Sequence, residues 1–325
     1  MGYAIGTVTK GGGDDTHYQF LALIKSLAEA NGWTTLRYNT VSANREWIGK
    51  SLGLSGSEEI YIGFRTYQDV GADYYNLLAG TFVGYVAEST FDAQPGAQLA
   101  GIPAHNNAIT YFMTANAQRI VFCLKVGTPV YEHGYAGKMF PYARPGEFPS
   151  PLIVGGMLAG GAEDRRFSDA NQQFPYGGRI LGTSGTSACA MWMRDQTGTW
   201  AQRYHYPFSN GNIRSNTLFG TQGSSTLVPA TTDYQLEPII LQDQASTATD
   251  PSNVYGELDG VYFISGFNNG VENVAQMGGS SVIDQTGMTV KQAVDAIRAV
   301  GGRAFVVLQN ANRTTWADYI ALEMK

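Results

Sequence analysis

The chain has 325 residues, 43% of them hydrophobic and only 15% charged, with a formal net charge of −6. That length can bury one large core or two ordinary ones. The scattered acids and the lack of any Lys/Arg run argue against nucleic acid or an anionic membrane as partner, and no apolar run approaches the roughly 18 residues of a spanning helix.

In chain order, MGYAIGTVTK lacks the apolar stretch of a signal peptide. Gly6 stands where a myristoylation motif wants Ser or Thr. The reading is a chain made in a cytoplasm. Residues 1–16, Gly-rich and polar, are expected as an extended N-terminal arm, and residues 17–325 as a single compact β-rich body. Residues 17–31 read as a helix, because Phe20, Leu23, Ile24 and Leu27 follow the 3.6 period. Asp15 or Thr16 would cap it and Gly32 would end it. WTTLRYN (33–39) and EEIYIGFRT (58–66) read as strands, with NREWIGKSLGLSG between them as a short helix or loop. Residues 105–130 read as a helix-or-strand stretch followed by a firm strand, RIVFCLKV (119–126).

PYARPGEFPSP (141–151) then places four prolines in eleven positions, with aromatic residues among them. A loop-rich excursion is expected at about 160–250. Within it, ACAMWMR (188–194) and TWAQRYHY (199–206) flank DQTG as a hairpin. GVYFISGF (260–267) reads as a strand. TVKQAVDAIRAVGG (289–302) reads as a helix, with Thr289 and Gln292 as a capping box, Val290, Val294 and Ile297 as its apolar stripe and Gly301 at its end. RAFVVLQ (303–309) and WADYIALEM (316–324) read as a closing β-hairpin. The expected fold class is α+β and β-dominated: an antiparallel β-sandwich or barrel-like body with about three helices and long loops. Few charges, 40 Gly, 19 Tyr and 15 Phe fit such a body. They also fit a surface covered by other subunits, since interface cores are poor in charge and rich in aromatics. A secreted β-domain shares the same composition.

No catalytic constellation emerges. NREWIGKS (44–51) ends like a phosphate-binding loop, but Asn44 stands where that loop needs Gly, and Trp47 and Ile48 are bulky where it needs small residues. GTSGTSAC (182–189) lacks the flanking glycines of a nucleophile elbow. His17, His105, His133 and His205 have no metal-ligand spacing, and GGGDD (11–15) lacks the alternating oxygens of a calcium loop. Among the acids Glu58, Glu59, Asp69, Asp73, Glu88 and Asp92, spacing assigns no glycosidase pair. The aromatics of YYN (74–76) and TFVGY (81–85) suit either sugar stacking or a packed core. Cys123 and Cys189 lie in apolar runs and are expected as buried thiols. No catalytic residue, cofactor or metal is assigned.

IYIGFRTYQDVGADYYN (60–76), FDAQPGA (91–97), the long stretch 109–156, GELDGVYFISGFNNGVENVAQMGG (256–279) and LQNANRTTWADYIALEMK (308–325) together resemble a family of virion structural proteins of tailed bacteriophages. The resemblance covers about half the chain. It implies a non-enzymatic building block of the virion, in the tail or baseplate, assembled in the host bacterial cytoplasm. The implied partners are other virion proteins and copies of the chain itself. Alternatives are a head decoration or collar protein, or a tail protein that binds or cleaves host-surface glycan. Proline lowers the entropy lost when an extended segment docks, and aromatic rings supply contact area. Phe140, Tyr142, Pro145, Phe148, Pro149 and Pro151 are therefore the expected partner-contact residues.

Overall fold

The computed structural model describes residues 1–11, 13–127, 130–141, 152–158, 161–169, 172, 175–176, 191–194, 198–202, 205–206, 208–209, 212–213, 235–242, 254–265, 297–300, 303–309 and 319–324. In chain order the first elements are β1 (Gly2–Val8), α1 (Thr16–Glu29), β2 (Trp33–Asn39), β3 (Glu46–Ser51), β4 (Ile60–Asp69), β5 (Tyr74–Phe82) and β6 (Gln98–Ile102). Next come β7 (Ile109–Ala115), β8 (Arg119–Val126), β9 (Val130–Lys138), β10 (Phe140–Pro141) and β11 (Leu152–Gly155). They are followed by β12 (Met191–Arg194), β13 (Trp200–Gln202), β14 (His205–Tyr206), β15 (Phe208–Ser209) and β16 (Asn212–Ile213). The last are β17 (Gln235–Gln242), β18 (Val254–Ser265), β19 (Ile297–Val300), β20 (Arg303–Gln309) and β21 (Tyr319–Glu323).

These strands form antiparallel sheets. The first runs β1-β7-β8-β9-β11-β12-β13 and the second β2-β3-β4-β5-β6. The third runs β14-β17-β18-β21-β20-β19, with β10 also on β18, and β15 pairs with β16. The first two sheets and α1 share one core. Phe122 of β8 lies 5.6 Å from Phe64 of β4 and 5.0 Å from Phe20 of α1, ring centre to ring centre. Trp47 of β3 stacks on Phe64 at 6.3 Å. On α1, Phe20, Leu21, Ile24 and Ala28 are fully buried, so of the stripe read from the sequence Phe20 and Ile24 lie at the centre of the packed face and Leu23 and Leu27 at its partly buried edge. Asp15 stands at its N-cap in extended conformation without a side-chain cap. Its carboxylate instead accepts from Gln68 Nε2 at 2.6 Å. Gly32, with φ +95, takes the left-handed turn out of the helix.

Four expectations need correction. The segment read as a short helix or loop holds β3, which lies between β2 and β4. Trp47 and Ile48 are adjacent and both fully buried, one in the main core and one in a smaller cluster with Leu78, Phe82 and Phe91 on the other side of the sheet. A strand covered on both faces loses the alternation by which it would be read. The expected arm is extended, but Gly2–Val8 is hydrogen-bonded along β7 in continuous register from Gly2↔Ala115 to Val8↔Ile109. Among the described residues α1 is the sole helix, where about three were expected. Of the predicted helix 289–302, Ile297–Val300 form a strand on β20, from Ile297↔Val306 to Val300↔Arg303, and the rest lies outside the described residues. Tertiary pairing overrides a helical period there. The expected pairings of 188–194 with 199–206 and of 303–309 with 316–324 appear as β12–β13 and β20–β21.

Candidate subunit-contact end

The turn from β7 to β8, Asn116-Ala117-Gln118, gathers one end of the body. Asn116 Oδ1 accepts from the amides of Gln118 at 2.8 Å and Arg119 at 3.0 Å. Its carbonyl accepts from Trp33 Nε1 at 2.7 Å, and Ser51 Oγ donates to the carbonyl of Ala117. The turn thus holds the start of β2 and the end of β3. Gln118 Nε2 donates to the carbonyl of Met139 at 2.7 Å, which holds the chain just before Phe140.

Behind the turn lies a buried polar lock. Arg119 is fully buried at the start of β8, and its Nη1 donates to Thr114 Oγ1 at 3.2 Å. Its Nε stands 3.3 Å from Asp259 Oδ2, an ion pair without the alignment of a hydrogen bond. Asn116 Nδ2 donates to the same oxygen at 2.6 Å. Tyr135, also fully buried, donates to the carbonyl of Lys138 at 2.9 Å and accepts from the amide of Asp259 at 3.3 Å. Burial pushes its phenol far above the ordinary range. Lys138 Nζ reaches Glu58 Oε1 at 2.8 Å and so fixes the β3–β4 loop. Gly260 has φ +76, and a Cβ there would land on the Arg119 guanidinium. The lock joins the third sheet to the first, because Asp259 and Gly260 belong to β18.

Around this end several apolar side chains are half exposed, among exposed polar ones such as Ser55, Ser57 and Glu59. Leu52 and Leu54 follow β3, Met1 touches Arg119 through its Sδ at 3.2 Å, Tyr3 lies on β1, and Phe140 opens β10; each is about half exposed. Of the predicted contact residues, Phe140 is therefore at the surface, two residues beyond Lys138. Its strand pairs with the protein's own sheet, Phe140↔Glu257 and Pro141↔Gly256. Tyr142, Pro145, Phe148, Pro149 and Pro151 lie outside the described residues.

The other sites considered from sequence resolve as structure. Gly49, Lys50 and Ser51 belong to β3, and Lys50 pairs with Glu59. Asp14 of GGGDD pairs with Arg45 at 2.7 Å. Asp92 and Glu163 both bind Arg65, Asp92 at 2.8 Å, so these carboxylates share one cation. Tyr75 and Phe82 face inward. Cys123 is a fully buried thiol, 3.7 Å from His133 Nε2, while Cys189 and the stretch 182–189 lie outside the described residues. His17 is fully buried with neither ring nitrogen partnered, and burial lowers its pKa to about 4. At the opposite end, a pocket of about 350 Å³ is lined by residues including His105, Lys125 and Phe167. Among the described residues no group of three His, Cys, Asp or Glu side chains could hold a metal, and no helix is long and apolar enough to cross a membrane.

Sequence reasoning missed three buried charged groups. Arg119 opens RIVFCLKV, and Glu132 and Lys138 sit in VYEHGYAGK, where every residue is buried. Burial holds the Glu132 carboxyl well above the usual range, beside Gln172. The available signal was an isolated charge beside or within an apolar run. No protein-family model matches the chain, and no curated protein matches it.

Proposed function

We propose that the chain is a non-enzymatic structural component of a tailed-bacteriophage virion, in the tail or baseplate. It assembles in the host cytoplasm and holds neighbouring subunits at the Asn116–Gln118 end, through Phe140 and the Pro-rich segment to 151. The observation that carries the reading is the grouping of half-exposed Met1, Tyr3, Leu52, Leu54 and Phe140 around a buried polar lock. A rigid apolar surface loses little entropy on docking, which is what a permanent assembly requires. The body is read as a β-sandwich rather than a barrel, because its two facing sheets end on different strands.

The test is incorporation into particles. Leu54→Ser with Phe140→Ser, and separately Tyr142→Ala with Phe148→Ala, should keep the circular dichroism of the soluble chain. Each pair should lower incorporation about tenfold or more, the scale of a lost contact hot spot. Absence of the chain from purified particles, or normal incorporation of both double variants, would overturn the proposal.

A further inference from the structure

The first sheet ends, among the described residues, on β1, whose sole described partner is β7. An edge strand presents alternate N–H and C=O groups to whatever comes next. Soluble monomers blunt such edges with a charge, a proline, a bulge or a very short strand. GYAIGTV has none of these: seven residues, no charge, no proline and an unbroken register with β7. On its outer face Tyr3 is 46% exposed, Ile5 37% exposed, and Thr7 is exposed beside them. Gly2, Ala4 and Gly6 alternate on the side toward the helix, where Cβ atoms on Gly2 and Gly6 would strike Asn31 and Tyr111.

The occupant of such an edge is a strand, since only extended backbone matches its hydrogen-bonding groups. The Pro-rich segment 141–151 is a poor candidate, because its prolines have no N–H to give. We infer that the occupant is β1 of a second copy, paired antiparallel about a two-fold axis at Ile5. This inference rests on the reading of the chain as a subunit of an assembly. The geometry is self-complementary. In that register Ile5 meets Ile5 of the second copy and Tyr3 meets its Thr7, all on one face, because paired residues of equal parity share a side of the sheet. The net charge of −6 opposes association of copies in general. Residues 2–8 carry no charge, so this edge is a place where two copies meet without like charges opposed. The seven-stranded sheet would continue into that of its neighbour.

Sedimentation equilibrium of the full chain across a concentration series tests this, with two variants. Ile5→Lys places two like charges face to face at the axis and should weaken the dimer by about tenfold or more. Ile5→Cys should form a disulfide-linked dimer on mild oxidation, because Cα atoms paired across antiparallel strands lie about 4.5–5.5 Å apart, within disulfide reach. Val41→Cys, on the exposed β2–β3 turn, should not. A chain that stays monomeric, a dimer indifferent to Ile5→Lys, or Ile5→Cys that links to a different particle protein would overturn the inference. If the Ile5→Cys dimer forms but the chain is absent from particles, the virion reading fails and the pairing stands. If the chain is in particles but Ile5→Cys does not link, the pairing fails and the virion reading stands.

Discussion

His17 shows how a single residue couples folding to pH. It sits in the first turn of α1, its ring 4.0 Å from that of Tyr18 and 5.5 Å from that of Tyr75. Burial outweighs the attraction of Asp15 and lowers its pKa from 6.5 to about 4. Above pH 6.5 both folded and unfolded chains hold the ring neutral. Between 6.5 and about 4 the unfolded chain binds the proton and the folded one does not, so stability falls as pH falls, by up to about 1.4 kcal/mol per pH unit. Below about 4 this loss is complete. Urea unfolding of the wild type and His17→Phe at pH 4.5, 5.5 and 7 should show a shallower pH dependence in the variant. Parallel curves would mean that His17 is protonated in the fold.

At the scale of elements, residues 161–169 are held by side chains that sequence periodicity ignores. Asn76 of β5 donates to the carbonyls of Glu163 and Arg165, the latter at 2.8 Å. Gln172 Nε2 donates to the carbonyls of Arg166, Phe167 and Asp169, the nearest at 2.8 Å. That leaves Gln172 Oε1 without a donor in the buried region, and the oxygens of Glu132 on β9 are likewise unpartnered. With its folded pKa raised, Glu132 favours folding below the ordinary carboxyl pKa, and that contribution is lost as pH rises. Glu132→Gln, a neutral isostere, should therefore raise stability at pH 7, measured by chemical denaturation. It should also slow hydrogen exchange across 161–169. A variant less stable than wild type at pH 7 would show an ionised carboxylate with a partner of its own.

Across the whole molecule, the Arg119–Asp259 pair ties the third sheet to the first. The first two sheets share a core of rings and aliphatic side chains with α1, and the third joins through β10 and the polar lock. Arg119 is fully buried, while the Asp259 side chain keeps 20% of its surface in solvent. Removing one partner of a buried pair strands the other, at about 3–5 kcal/mol when both are enclosed. Arg119→Met should cost about 3 kcal/mol, with Asp259 partly rescued by water and by Asn116. Hydrogen exchange should show β18 and β21 opening before β7 and β8. Uniform loss of protection across all sheets would show that the joint is not the weakest part. On the proposed virion reading, particle incorporation should fall as well.

Several elements were legible because their patterns are local. The stripe Phe20, Leu23, Ile24 and Leu27 marked α1, and WTTLRYN and RIVFCLKV marked β2 and β8 through their β-branched and aromatic content. Phe140, expected as a contact residue from its neighbours in the Pro-rich run, lies half exposed on β10. What only the tertiary structure decided depends on partners distant in the chain. β3 is a strand because both of its faces are covered, and Gly2–Val8 is a strand because β7, more than a hundred residues away, pairs with it. Ile297–Val300 left its helical period for β20. The polar lock required Arg119 to meet Asp259 across 140 residues, and no spacing rule encodes that meeting. Propensity and periodicity act over a few residues, whereas pairing and burial are settled by whichever distant segment arrives, and the Asn116–Gln118 end of this protein is built from the second kind of information.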